Sequence, residues 1–396
     1  MGVLRVEDLI QKDMQSKKRV LQLTNYYYPD VGGIENIAYA ITNSLKDQCE
    51  IKVICFSHET KDNVIKDDDV IVKRYGTKVK ISSQQLSFTM LKDFKHELGD
   101  FCPDVVIIHM PNPFLAGILL SNIKKSNPFK LVVYWHSDII KQRLGEKVFR
   151  SMIMTVLKKA DVIVATSPDY INGSKYLKIQ KDKCVVIPNC IDNKLLQVSQ
   201  NEMKLANAIR EKYQEKIICV AIGRQVPYKG FEYLVDAMKK LDSRYELFLL
   251  GRKGESTKTI TQKARGMNNI HILGEVDDSY KKAYLTACDI FCFPSVTKNE
   301  AFGIALAEAM YYGKPAVTFK IEGSGVSYVN IDGETGIEVE NRNVALYAKA
   351  LMSLAEDYEM RTILGENAKK RVEENFLYHE FMRRIRELVI CKLLKM

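Results

Sequence analysis

The sequence predicts an α/β protein of two doubly wound, Rossmann-like domains facing across a cleft, followed by C-terminal helices. Three observations carry this expectation. Short apolar runs rich in β-branched residues alternate with helical patterns, as in parallel sheets covered on both faces. The alternation runs through once, passes a polar stretch, and starts again. The chain has 396 residues, enough for two cores at roughly 100 to 200 residues per domain.

In the first half, strands are expected at Arg19–Thr24, Ile51–Phe56, Val105–His109, Leu131–Trp135, Val162–Ala165 and Val185–Ile187, with helices such as Ile34–Leu45 and Pro113–Lys125 between them. The polar stretch Asp192 to Lys216 reads as the linker. The pattern restarts with strands at Ile217–Gly223, Glu246–Gly251, Ile270–Leu273, Ile290–Phe293, Ala316–Phe319 and Gly336–Val339. Beyond Val339 the chain is expected to be helical, with Phe381, Ile385, Leu388, Val389 and Leu393 marking the apolar face of the last segment. Residues 1–195 then form one domain, 196–375 a second, and 376–396 a terminal helix packing back toward the first. Open α/β sheets bind ligands at the carboxyl ends of their strands, so the cleft suits a ligand containing a nucleotide.

Composition narrows the class. Hydrophobic residues make up 46% and charged residues 27%, which excludes a disordered or fibrous chain. Nine cysteines without a CxxC pair read as reduced core thiols, Cys288 and Cys292 included, and point to a reducing cytoplasm. The N-terminus lacks a signal-peptide core, and no apolar run reaches the ~18 residues of a membrane span. The candidate at Val105 to Leu120 is broken by His109, Pro111, Asn112 and Pro113.

The net charge of +10 is uneven, +7 on residues 1–196 and +3 on the rest, so the first half is expected to meet something anionic. Ile139 to Lys159 interleaves Lys141, Arg143, Lys147, Arg150, Lys158 and Lys159 with apolar positions, and Lys124, Lys125 and Lys130 precede it. This stretch is a candidate for peripheral attachment to an anionic membrane surface, on the inner face of the cell membrane. In the competing reading the apolar positions face the domain core. Nucleic acid is not an expected partner, because no helix-turn-helix or aromatic RNA-binding signature is present. Asp67-Asp68-Asp69 reads as a solvated turn between strands, and no metal site is expected.

Three motifs could carry chemistry. Gly32-Gly33-Ile34-Glu35 lies between the first strand and the first helix, where glycines and a helix N-terminus favour an anion. The absence of GxGxxG speaks against a dinucleotide dehydrogenase. Gly223-Arg224-Gln225-Val226-Pro227-Tyr228-Lys229-Gly230 opens the second domain, and its Arg224 and Lys229 can converge on a diphosphate. Glu300 is expected at the entry of a helix and Glu308 inside it, about 12 Å apart along eight helical residues, a span that one nucleotide sugar could cover.

In this order the motifs resemble the retaining glycosyltransferases of family four (glycosyl transferases group 1), with the GT-B fold. The likeness runs from about Arg19 to the end. It rests on Gly32-Gly33-Ile34-Glu35, the G-R-x4-K-G segment of Gly223, Arg224 and Lys229, and the E-x7-E pair Glu300 and Glu308. Val186-Ile187-Pro188-Asn189-Cys190-Ile191-Asp192 matches a further family segment, with Cys190 replacing its usual glycine. Glu322-Gly323-Ser324-Gly325-Val326 departs from the family's G-G-x-x-E.

The resemblance implies an acceptor-binding first domain and a nucleotide-sugar-binding second domain. It implies that Arg224 and Lys229 hold the donor diphosphate, Glu308 the ribose hydroxyls and Glu300 the transferred sugar, with His136 beside that sugar. Gly32, Gly33, Gly223, Phe302, Gly303 and Ile304 complete the implied donor site. The implied reaction moves a hexose-type sugar from a UDP or GDP sugar to a hydroxyl of a glycan, lipid-linked, in surface polysaccharide synthesis. It proceeds with retention, without a metal ion and without a cofactor. The competing readings are a nucleotide-sugar epimerase-like isomerase of the same architecture and a non-catalytic glycosyltransferase-like scaffold.

Overall fold

The computed structural model describes residues 17–30, 32–67, 69–77, 79–81, 84–123, 128–138 and 146–396. They divide into two compact units. The first takes in the described residues of Met1–Trp135, Arg143–Ile163 and Met382–Met396, and the second those of His136–Gln142 and Val164–Phe381.

The first sheet is built from β1 (Lys18–Leu23), β2 (Cys49–Phe56), β3 (Asn63–Asp67) and β4 (Val70–Tyr75). A separate two-stranded ribbon, β5 (Val79–Ile81) and β6 (Gln84–Leu86), follows in the chain. The sheet then continues with β7 (Val105–Met110), β8 (Lys130–Trp135), β9 (Val162–Ala165) and β10 (Cys184–Val186). Its order is β10-β9-β8-β7-β1-β2-β4-β3. β1 pairs in parallel with both β2 and β7, so the chain reverses its direction of travel across the sheet at β1 and β7. All six residues of β7 are buried, as a central strand covered on both faces requires.

The second sheet comprises β11 (Ile217–Ile222), β12 (Tyr245–Leu250), β13 (Ile270–Gly274), β14 (Ile290–Phe293), β15 (Ala316–Phe319) and β16 (Gly336–Val339). Its order is β13-β12-β11-β14-β15-β16, with parallel pairing throughout. The topological switch falls between β11 and β14. Apolar side chains fill both faces, Val220, Phe248 and Phe291 on one, Cys219, Leu247 and Cys292 on the other.

Two expectations are corrected. The polar stretch taken as the linker contains a helix, Gln200–Lys212, closed at its start by a reciprocal capping box between Ser199 and Glu202. Only a narrow stripe of that helix packs, Ala206 with Leu205 and Ile209 beside it, which is why its composition looked like a loop. The strands β3 and β4 of an antiparallel hairpin were not among the expected runs, although the turn between strands expected at Asp67 to Asp69 falls between them: Asp67 ends β3 and Asp69 precedes β4. After β16 the chain is helical at Val344–Glu356, Tyr358–Asn375 and Tyr378–Arg386, then forms a π-helix at Glu387–Leu394. Phe381, Ile385, Leu388 and Val389 are buried there. Arg386 donates to Ser44 O at 2.6 Å, tying the terminal segment to the first unit's helix Gly33–Leu45.

Candidate functional site

The second sheet brings its chemistry to the switch point, where the loops after β11 and β14 leave the same edge in a geometry that favours a ligand. After β11, Gly223 donates its backbone N–H to Leu250 O at 2.9 Å. Gly251, at the matching end of β12, adopts a φ of +131°, and a Cβ there would collide with Gly223 O. The two strand ends therefore approach each other backbone to backbone, which only glycine allows. Arg224 is exposed on the loop, while a 3-10 turn at Pro227–Lys229 carries Lys229 inward. Gly230 closes the turn at φ +64° before the helix Phe231–Met238.

Lys229 forms an ion pair with Glu300, and both side chains are nearly buried, at 12% and 11% exposure. The Glu300 Oε2 that meets Lys229 also accepts from Ser295 Oγ at 3.0 Å. The Lys229 ammonium lies 5.1 Å from the centroid of the Phe293 ring. The ammonium is thus held by a carboxylate and an aromatic face, and that carboxylate is in turn oriented by the Ser295 hydroxyl, in surroundings dry enough to strengthen each contact. Glu300 lies four residues before the helix Ile304–Tyr311, so the expected placement at the helix entry is corrected: it sits in the preceding loop, its N–H donating to Thr297 O at 3.0 Å. The 12 Å helical span between Glu300 and Glu308 does not apply for the same reason.

The loop that departs from the family pattern supports the backbone at Glu300. Ser324 Oγ donates to the Glu300 carbonyl, and a Cβ on Gly325 would collide with Ala301 O. Phe302 is buried edge-on against Phe376 at 5.3 Å between centroids. Gly303, at φ +98°, opens the helix that starts with Ile304. Phe302, Gly303 and Ile304 thus fix the path of the chain between Glu300 and Glu308.

Glu308 is accompanied by a cation that sequence reading missed. Lys281, on the helix Asp278–Ala287, places Nζ 3.4 Å from Glu308 Oε1. Burial pushes the Glu308 carboxyl above its ordinary range, and Lys281 opposes that shift. Burial lowers the Lys281 ammonium's pKa, but Glu308 and Asp278 outweigh it and hold the pKa above its usual value. No spacing in the sequence signals the pair, because the two residues come from different helices.

His136 follows β8 and belongs to the second unit. It is buried, and burial lowers its pKa to about 3, so the ring is neutral at physiological pH. In the first unit, Gly32 caps the helix Gly33–Leu45, and a Cβ on it would collide with the Glu35 carboxylate. Gly33 differs: a Cβ there would meet nothing within 4 Å. The protein's own packing therefore does not require glycine at position 33. Cys190 is half-buried and is not among the described non-glycine residues with left-handed backbone, so it replaces the family's glycine without strain.

Two family models match in tandem. The model for glycosyl transferases group 1 covers residues 203–371, and that for glycosyltransferase family 4 covers residues 31–195. The D-rhamnosyltransferase WbpZ of Pseudomonas aeruginosa is 32% identical over 365 residues, spanning 90% of this chain and 92% of the relative. The chain belongs to the group 1 glycosyltransferases. The O-antigen chain mannosyltransferase C of Escherichia coli is 30% identical to this glycosyltransferase over 90% of this chain and 94% of the relative. Among solved structures, sucrose-phosphate synthase from Thermosynechococcus elongatus superposes with a TM-score of 0.79 at 17% identity, covering 96% of this chain and all of that one. The Anabaena protein HepE in complex with UDP and glucose gives 0.72 at 18% identity, over 94% and 99% of the two chains. These likenesses establish the GT-B fold.

Among the described residues of the glycosyltransferase, no helix is long and apolar enough to cross a membrane. Lys124, Lys125, Lys141 and Arg143 of the basic stretch lie outside the described residues, and no side-chain placement is described for Lys147. On the helix Glu146–Lys159, Ile153, Val156 and Leu157 are fully buried, while Arg150, Lys158 and Lys159 are exposed. Those three apolar residues face the core, so they are not available for insertion into lipid.

Proposed function

We propose that this glycosyltransferase moves a hexose-type sugar from a UDP or GDP sugar to a hydroxyl of a lipid-linked glycan in surface polysaccharide synthesis, with retention at the anomeric carbon. The observation that carries the reading is the pairing of Lys229 with Glu300 at the carboxyl edge of β11 and β14. A cation from one loop and a carboxylate from the other suit the two ends of a sugar diphosphate. Lys229 and Arg224 stabilise the charge that builds on the departing nucleoside diphosphate as the sugar–oxygen bond breaks. Glu300 orients the sugar hydroxyls, Glu308 accepts from the ribose diol, and neutral His136 hydrogen-bonds the transferred sugar. The acceptor hydroxyl then attacks from the face the diphosphate leaves, and its proton passes to the departing diphosphate oxygen. The two side-chain cations supply the leaving-group stabilisation, so the reaction proceeds in chelator. In support, HepE was solved with UDP and glucose, one relative is named for D-rhamnose transfer, and another for mannose transfer in O-antigen chains. We further propose that residues 1–195 bind the acceptor and 196–375 the donor, and that the exposed cations of the helix Glu146–Lys159 bring the enzyme to the inner face of the membrane.

The test is a panel of UDP and GDP sugars supplied with a lipid-linked glycan extract, followed by proton NMR of the product. A product of the donor's anomeric configuration, formed equally in EDTA, is expected. An inverted product overturns the retaining mechanism, and abolition by EDTA with rescue by Mg²⁺ overturns metal independence. A new nucleotide sugar without transfer points to the isomerase reading.

A further inference from the structure

Two residues of the second unit lie beside the proposed site without a role in it. Asp138 is two residues beyond His136, and Lys298 is two residues before Glu300. Lys298 Nζ is 2.8 Å from Asp138 Oδ2 and donates to Gly173 O at 3.0 Å. The other carboxylate oxygen of Asp138 accepts from Ser174 Oγ at 2.6 Å, and its backbone N–H donates to Tyr170 OH at 2.7 Å. The Asp138 side chain is 1% exposed and that of Lys298 27%.

A carboxylate this deeply buried is tolerated only when its charge is matched and its oxygens are hydrogen-bonded, and both conditions are met here. A lysine on a loop normally extends into water; this one gives its ammonium to a single buried acid and one carbonyl. Neighbouring contacts hold the same surfaces together. Thr166 Oγ1 donates to Ala301 O at 2.8 Å, and a Cβ on Gly173 or on Gly323 would collide with the backbone of the other. The ion pair is therefore part of a close-packed seam between the segments after β8 and β9, which carry His136, Thr166 and Gly173, and the loops after β14 and β15, which carry Glu300 and Gly323. Within it Lys298 and Asp138 join the His136 segment to the Glu300 loop.

We propose that Asp138 and Lys298 are a positioning pair that fixes the His136 segment against the Glu300 loop, so that both groups act on one transferred sugar. This rests on the donor reading given above. The pair touches neither substrate nor reacting atom. It acts by removing freedom from the two groups that do, and loss of such alignment lowers turnover without weakening attachment of the remote nucleotide.

The test is a double-mutant cycle of Lys298→Met and Asp138→Asn, with Lys298→Arg as the conservative variant. Each single variant is expected to lower kcat about tenfold or more, while the KM for the nucleotide sugar and the Kd for UDP or GDP change less than about twofold. The double variant loses no more than the worse single, because the two residues act as one unit, and Lys298→Arg retains most of the turnover. Unchanged kcat, or losses that multiply in the double variant, overturns the proposal. A second readout needs no substrate: amide hydrogen exchange in the peptides around His136 and around Glu300. Either variant is expected to speed exchange in both peptides; faster exchange only at the mutated segment overturns the pairing. If the wild-type chain binds neither UDP nor GDP, the donor reading fails, and the exchange measurement alone decides whether the two segments are coupled.

Discussion

Lys229 shares its ammonium with Glu300, so substitutions at the two positions have coupled effects. Lys229→Ala removes the cation facing the leaving diphosphate and leaves a buried carboxylate unmatched; turnover is expected to fall about 100-fold or more, with Arg224→Ala similar. Glu300→Gln frees the ammonium, so calorimetry should find nucleoside diphosphate binding retained or tightened while transfer is lost. Glu308 behaves differently, since burial raises its pKa and Lys281 opposes the shift. Nucleoside diphosphate binding should strengthen with rising pH as Glu308 ionises, and Lys281→Met should move that midpoint upward; an unmoved midpoint contradicts the pairing. His136 gives a stability prediction of defined sign. Its pKa of about 3 lies below the ordinary 6.5, so the unfolded chain binds a proton that the folded chain refuses. Its contribution is fully present above pH 6.5 and is lost as pH falls toward 3. Thermal melts at pH 7 and 5 should show a smaller acid loss in His136→Gln than in the wild type.

The loops that carry these residues depend on close backbone contact at the ends of the strands. Gly251→Ala places a Cβ against Gly223 O at a positive φ, so it should lower both the melting temperature and nucleotide binding through the displaced Arg224 loop. Ser199→Ala, which breaks the capping box of the helix Gln200–Lys212, should cost about 1 kcal/mol of stability and leave nucleotide affinity unchanged. The inner strands were legible because apolar runs buried on both faces have few other uses; β9, β14 and β15 fall where the runs predicted them, and so does the edge strand β16. The edge hairpin escaped because Val64 and Ile65 are exposed, at 57% and 46%, and no alternating pattern marks β3. Among site residues, Lys229 and Glu300 could be read from motif spacing. Lys281, Asp138 and Lys298 could not, since each meets its partner through tertiary packing alone.

For the molecule as a whole, the charge bias of the first half reaches the surface at Arg150, Lys158 and Lys159, while Ile153, Val156 and Leu157 are committed to the core. The membrane association proposed for this helix therefore rests on electrostatics alone. Flotation with anionic vesicles should occur at low salt and disappear as salt is raised, and Arg150→Ser with Lys158→Ser and Lys159→Ser should weaken it; flotation that survives high salt points to another attachment. The family assignment does not depend on that outcome, because it follows from the tandem matches over both halves of the chain. The central claim is that the switch point of the second sheet, at Lys229 and Glu300, holds a nucleoside diphosphate. Calorimetric titration of UDP and GDP into the wild type and Lys229→Ala tests it most directly. One of the two nucleotides should bind the wild type, with affinity falling about tenfold or more in the folded variant. Equal affinity in both proteins, or binding of neither nucleotide to the wild type, contradicts the claim.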